Sequence, residues 1–231
     1  MSRDFGFGMG VGDAWRERNL ACTFRIAMKS GLIHESEARS IPGYDFGKSS
    51  IARSPVTMEE LREIEMSAGW SDEDARVLQR HADLFDRCAE QMVNSWRAVI
   101  GSQPHLAKWF VGPEGKPDEE YKAKVKKRFV QWVVDVCSRP HDQSWLDYQE
   151  EIGLRHAPEK KNRTDGARTP EVVPLRFLIA FGTTVALTAR KFFVEAGVTE
   201  SELQKLEDAW SKAVQLHITL WARPYAKEGL W

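Results

Sequence analysis

The stretch Trp145-Leu-Asp-Tyr-Gln-Glu-Glu-Ile-Gly-Leu-Arg-His156, with Pro158 just beyond it, decides how this chain is read. Trp145, Gln149, Ile152 and His156 fall at i, i+4, i+7 and i+11, so they share one face of a helix. Proline disfavours helical backbone at the residue before it, which puts His156 near the last turn. An imidazole at the end of a mostly apolar face binds a metal through one ring nitrogen, is a core histidine satisfied by a hydrogen bond, or caps the helix. Spacing alone leaves these open, because one histidine does not make a metal site. The carboxyl end of the helix offers carbonyls that accept from the other ring nitrogen and fix the tautomer.

Outward from this stretch the pattern is helical. Thr57-x-x-Glu60 is a capping box opening a helix to about Gly69, and Ser71-x-x-Asp74 opens the next, which runs with a bend to about Gly101. Pro104–Phe110 reads as a short turn or helix, and Gly112–Pro117 as a loop. Over 118–137, Val125, Phe129, Trp132, Val133 and Val136 recur at helical period. The helix of His156 starts near Asp142, and Glu159–Arg168 is a polar loop rich in charge. A long helix spans about 171–196, and Thr199-x-x-Glu202 caps a last one to about Ala222. No alternating strand pattern competes and no repeat is evident. The reading is all-α, with seven or eight helices.

The chain has 231 residues, 42% hydrophobic and 29% charged, enough for one domain with a sizeable core. A formal net charge of −1 gives no electrostatic reason to expect nucleic acid. Nine tryptophans suit the walls of a large flat ligand, or a well-filled core. Cys22, Cys88 and Cys137 form neither a disulfide framework nor a metal spacing, so reduced thiols in a cytoplasmic protein are expected. No run of about 18 apolar residues is seen, so no membrane span is expected. Phosphate loops, HExxH and GxSxG are absent from the sequence. Residues 1–40 stand apart: Gly6, Gly8, Gly10 and Gly12 alternate, and an amphipathic helix with Trp15, Leu20, Phe24 and Met28 is possible over Ala14–Ser30. This extension is flexible or precedes a natural start at Met28; otherwise its helix binds a membrane surface or a partner.

Tyr148 to His156, followed by Lys160-Lys161-Asn162 and Thr164-Asp165, resembles the protoglobins, single-domain haem proteins related to the globin-coupled sensors. Ile41-Pro-Gly-Tyr44, Trp96 with Val99-Ile100-Gly101-Ser102 and Pro104-His105-Leu106, Lys127-Arg128-Phe129 with Trp132, Leu175 to Phe181, and Trp221 with Pro224-Tyr225 and Lys227-Glu228 continue it in order. The resemblance covers about residues 41–231. It implies a globin-like helical sandwich with an extra N-terminal helix, one haem b held through its iron by His156, and binding of oxygen, carbon monoxide or nitric oxide. It also implies that the N-terminal loop seals the haem, that gases enter by tunnels, and that the last two long helices form a homodimer. Trp210, Leu216 and Leu220 are candidates for that contact, or face the core.

Carried over by motif, Trp96, Phe129, Phe181 and Val185 belong to the haem pocket, and Leu178, Phe181 and Val185 share a face by spacing. These stripes are also ordinary core; a haem pocket is part of the core. After Trp96 the family usually has a tyrosine, whereas this chain has Arg97, which donates to a bound gas, reaches a haem propionate, or extends to water. Burial of an uncompensated charge is costly, which favours the propionate or water. Arg128 pairs with a propionate or lies on a solvated face with Lys124, Lys126 and Lys127; Arg155 is equally open. His34, His81, His105, His141 and His217 carry no motif for a second iron ligand. The alternative on the same scaffold is a haem enzyme with peroxidase-like, nitric-oxide or nitrite-converting activity. A sensor module would need a separate signalling or redox partner.

Overall fold

In the computed structural model, residues 41–227 and 229–231 are described; the N-terminal extension, and with it the amphipathic helix expected over Ala14–Ser30, lies outside them. Both capping boxes form. Thr57 accepts from the Glu60 N–H while the Glu60 carboxylate takes the Thr57 N–H, starting α1 (Met58–Ser67). Ser71 and Asp74 reciprocate in the same way for α2 (Asp72–Arg80). The expected bend falls at His81, which ends α2 and opens α3 (Ala82–Ser102) in non-helical backbone, its Nδ1–H given to the Val77 carbonyl. Pro104 then starts a single turn, α4 (Pro104–Ala107), continued as a 3-10 turn over Lys108–Phe110.

Asp118 caps α5 (Glu119–Ser138) and Asp142 caps α6 (Gln143–Leu154), each accepting an N–H three residues on. Helix α6 ends two residues earlier than the spacing indicates: Arg155 is its C-cap, and His156 sits in the following turn with its N–H on the Gly153 carbonyl. Helix α7 (Leu175–Glu195) starts later than 171, because Pro174 lies at its N-cap. Thr199 does occupy the N-cap of α8 (Glu200–Ala222), but its hydroxyl meets Ser201 rather than the Glu202 N–H. No β-strand occurs among the described residues, only one isolated bridge between Val111 and Pro117.

Helix α8 buries Leu206, Trp210, Ala213, Val214 and His217 at three- and four-residue steps, and so packs against α7, α2 and α6. Helix α3 presents Phe85, Ala89, Met92, Val93 and Trp96 to α5 and α7. The two faces meet in one core that contains Phe85, Trp96, Trp132, Phe193 and Trp210. Full burial of such side chains contributes roughly 1.5–3 kcal/mol each. Trp210, Leu216 and Leu220 are each at most 2% exposed, so these residues face the core and not a partner. Helix α7 is long and apolar enough to cross a membrane by length and composition, contrary to expectation. In this fold it packs on α8 and α3, while Ile179, Leu187 and Val194 stay 52–71% exposed on its outer face.

Candidate functional site

A cavity of about 250 Å³ opens between α3, α5, α6, α7 and α8. The periodic faces read from the sequence converge on it: Val125, Phe129 and Trp132 from α5, and Leu178, Phe181 and Val185 from α7. Ile152 and His156 border it from α6 and the turn beyond, with Val214, Ile218 and Trp221 from α8. Trp96 does not line it. Its ring packs behind Phe129 at 5.3 Å between centroids, and its indole N–H is held by the Thr188 hydroxyl at 2.6 Å.

His156 Nδ1 lies 2.9 Å from the Ile152 carbonyl oxygen. A carbonyl only accepts, so Nδ1 carries the proton and Nε2 keeps its lone pair. Burial holds the imidazole pKa down at about 4, so the ring is neutral at pH 7. The result is a fixed tautomer of a neutral histidine on the wall of an apolar cavity, with the Trp221 indole stacked at 5.6 Å. That combination is what an iron or zinc ligand needs. No group of three His, Cys, Asp or Glu that would hold a metal ion by itself occurs among the described residues.

Four cations line the cavity, and they divide into two kinds. Arg128 forms a bidentate pair with Asp165 at 2.5 and 3.0 Å and also donates to the Pro42 carbonyl. Arg155 donates to Asp45 at 2.8 Å, to Glu151 at 2.9 Å and to the Gly43 carbonyl. Their charges are met by protein carboxylates. Arg97 and Lys161 have no direct carboxylate partner among the described residues. Arg97 is half-buried, which lowers its pKa, with Glu119 acting only at longer range. Lys161 is 3% exposed; its ammonium donates to the Trp109 carbonyl and the Thr169 hydroxyl, at 3.0 and 2.8 Å, and lies 5.2 Å above the Tyr121 ring, all neutral groups. Its burial brings the ammonium pKa down to about 8.

Two donors are orphaned in the same wall: the indole N–H groups of Trp109 and Trp132 are buried with no acceptor. Native interiors rarely leave such groups unmet. Aromatic walls, two uncompensated cations and two unmet donors describe a site for a large, flat, acidic ligand with hydrogen-bond acceptors.

Sequence reasoning found His156, Phe129, Phe181, Val185, Arg97 and Arg128, all on the cavity, and Trp96, which supports it from behind. It missed Tyr44, Trp109, Tyr121, Tyr148, Lys161 and Phe177 as wall residues. Lys161 stands in a charged run that reads as a solvated loop; the signal available was its place in the motif after His156.

The protoglobin family model matches residues 57–231. No curated protein gives a match. Among solved structures, the globin domain of a Geobacter sulfurreducens globin-coupled sensor is similar, with a TM-score of 0.57 and 16% identity. That match covers 74% of this chain and 99% of the sensor domain, and at such identity it shows the fold alone. Helix order, cavity and family match agree, and this chain belongs to the protoglobin family of haem globins.

Proposed function

We propose that the cavity holds one haem b, that His156 Nε2 would be its iron ligand, and that the protein reversibly binds oxygen, carbon monoxide or nitric oxide there. The observation that carries this is the neutral, tautomer-fixed His156 on the wall of a cavity lined by Phe129, Phe181 and Trp132. The residues present fit the group. Haem brings an apolar macrocycle and two carboxylates; the cavity offers aromatic walls, and Arg97 and Lys161 are two cations without carboxylate partners. Bound haem supplies an iron that coordinates a diatomic molecule. The chain's own contributions are orientation of the imidazole by Ile152, neutralisation of acid groups by the two cations, and exclusion of water by the aromatic wall.

The test is the optical spectrum of the purified, haem-supplemented protein in ferric, ferrous and ferrous-CO states, beside His156→Ala. A Soret band that shifts with CO in the wild type and is lost or altered in the variant is expected. A wild type without haem, or a variant with an unchanged spectrum, defeats the assignment.

The position of Arg97 on the cavity wall favours a second reading, a haem enzyme that polarises peroxide or nitrite. Rapid peroxide turnover that collapses in Arg97→Tyr supports that reading; a stable oxygen complex with an unchanged off-rate in the variant supports the binder. A homodimer belongs to the same proposal, with the exposed Ile179, Leu187 and Val194 stripe of α7 as its contact. So does a cytoplasmic location, consistent with the free thiols of Cys88 and Cys137, and a separate redox or signalling partner.

A further inference from the structure

An unbroken file of aromatic rings leads from His156 to the protein surface. Trp221 stacks on His156 with centroids 5.6 Å apart, and His217 meets Trp221 at 5.7 Å. Trp145 lies 5.3 Å from His217, His141 stacks on Trp145 at 4.0 Å, and Trp70 stacks on His141 at 5.0 Å. Trp145 and His217 are sealed in the core at 1% exposure, while Trp70, in the turn between α1 and α2, is half-buried at the surface. The two histidines in the file are held in place. His217 gives Nδ1–H to the Ala213 carbonyl at 2.7 Å, and His141 Nδ1 lies 2.7 Å from the Glu65 carboxylate. Neither borders the cavity. Trp132, on the cavity wall, meets both Trp221 and His217, at 5.7 and 5.5 Å; the branch beyond it, to Trp210 and Trp96 at 5.8 and 6.3 Å, ends inside the protein because both are wholly buried.

We propose that Trp221, Trp145 and Trp70, bridged by His217 and His141, form an electron relay that carries oxidising equivalents from the haem cavity to the surface. This rests on the His156 haem assignment above. Tryptophan is among the side chains most readily oxidised by one electron; the rings stack at His156–Trp221, Trp145–His141 and His141–Trp70 and meet edge to face at both His217 contacts, so each transfer crosses rings in direct contact. The oxidant is hydrogen peroxide. Its O–O bond breaks, two electrons and two protons are taken up, and two waters leave; the protons come from solvent. Each electron withdrawn at the cavity is replaced from Trp221, the vacancy there from Trp145 across His217, and that at Trp145 from Trp70 across His141. A phenol or ascorbate-class reductant at the surface restores Trp70 and is itself oxidised by one electron per transfer. Without a reductant, Trp70 takes the oxidative damage in place of the cavity wall.

The test treats ferric, haem-loaded protein with peroxide and no reductant, then maps oxidised residues by peptide mass spectrometry and trapped radicals by electron paramagnetic resonance. In the wild type, oxidation is expected at Trp70, and a phenol added beforehand suppresses it. In Trp145→Phe, Trp70 oxidation falls to that of haem-free protein treated identically, and Trp221 oxidation rises. Trp70→Phe, at a half-buried position that tolerates the change, moves the damage inward to Trp145 and Trp221. Trp210→Phe, on the closed branch, leaves Trp70 oxidation unchanged. Undiminished Trp70 oxidation in Trp145→Phe, its loss in Trp210→Phe, or damage confined to Tyr44 and Tyr148 overturns the relay. The CO spectrum of the same preparations separates the two claims. A normal CO shift with the wrong damage pattern defeats the relay alone, and the absence of any CO shift defeats the haem assignment and the relay with it.

Discussion

Replacing Lys161 with methionine should stabilise the haem-free protein and weaken its hold on haem. The ammonium is nearly inaccessible and meets only neutral groups: the Trp109 carbonyl, the Thr169 hydroxyl and the face of the Tyr121 ring. Burial takes its pKa from 10.5 to about 8. At 1.36 kcal/mol per pKa unit, keeping the charge at pH 7 costs the haem-free fold about 3 kcal/mol. Methionine keeps the length and removes the charge. Thr169 retains Asn162 as a partner, so only the Trp109 carbonyl is left unmet, at about 1 kcal/mol. The net expectation is a gain of about 2 kcal/mol, read as a higher urea midpoint with unchanged slope. The sign follows from linkage. The unfolded chain binds more protons between pH 8 and 10.5, so wild-type stability gains over that window and the advantage of the variant shrinks. With haem bound, the same substitution leaves an acid group without its cation, and haem transfer to an acceptor apoglobin should quicken by roughly 10- to 100-fold. A lower urea midpoint together with an unchanged haem loss would refute the reasoning and make Lys161 a clamp between Trp109 and Thr169.

In Gly153→Ala the new Cβ meets the Trp221 Cα at 3.1 Å and Pro224 at 3.2 Å, and main chain cannot rotate away. Overpacking less the helix-propensity gain predicts a loss of about 1–2 kcal/mol, with a shifted Soret band because the His156–Trp221 stack moves; an unshifted band at wild-type stability contradicts this. His217 and His156 have pKa values depressed to about 3 and 4, so the unfolded chain binds the extra protons below pH 6.5 and stability falls on acidification. For the haem-free protein, His217→Phe should remove about 2 kcal/mol of the fall between neutrality and pH 5, measured by urea titration at each pH. Phe129→Ala with Phe181→Ala should change gas association rates or autoxidation in flash photolysis; unchanged kinetics would mean the two rings only pack. Leu187→Glu places a charge on the exposed apolar stripe of α7 and should shift the protein toward monomer in sedimentation, leaving the CO spectrum intact.

Much of the fold was legible because its signals are local. The Thr57 and Ser71 capping boxes and the spacing of Val125, Phe129 and Trp132 each act within a few turns, and each formed where the residues placed it. Helix ends were less legible: His156 falls beyond α6, and Pro174 delays α7. The cavity was half legible. Periodicity shows that Leu178, Phe181 and Val185 share a face, but cannot tell core from cavity wall. Lys161 and Arg128 were opaque because their roles depend on partners far along the chain: Trp109 for one, Asp165 for the other. Trp210, Leu216 and Leu220 look the same whether a helix face meets a second subunit or its own core.

The carbonyls of Pro42 and Gly43 and the hydroxyl of Tyr44 are tied to Arg128, Arg155 and Asp135, respectively 86, 112 and 91 residues later. Gly43 has a φ of +73°, and a Cβ there would fall 2.6 Å from the Arg128 guanidinium, so only glycine lets the backbone come this close. During synthesis these residues emerge first among those described, yet their partners do not exist until α5 and α6 have been made and folded. The segment must therefore wait, tethered at one end, while the helices that it later joins assemble. The order of closure is thereby written into the direction of translation: walls first, roof last, with an interval in which a bulky prosthetic group can enter from the side where Tyr44 afterwards joins the wall.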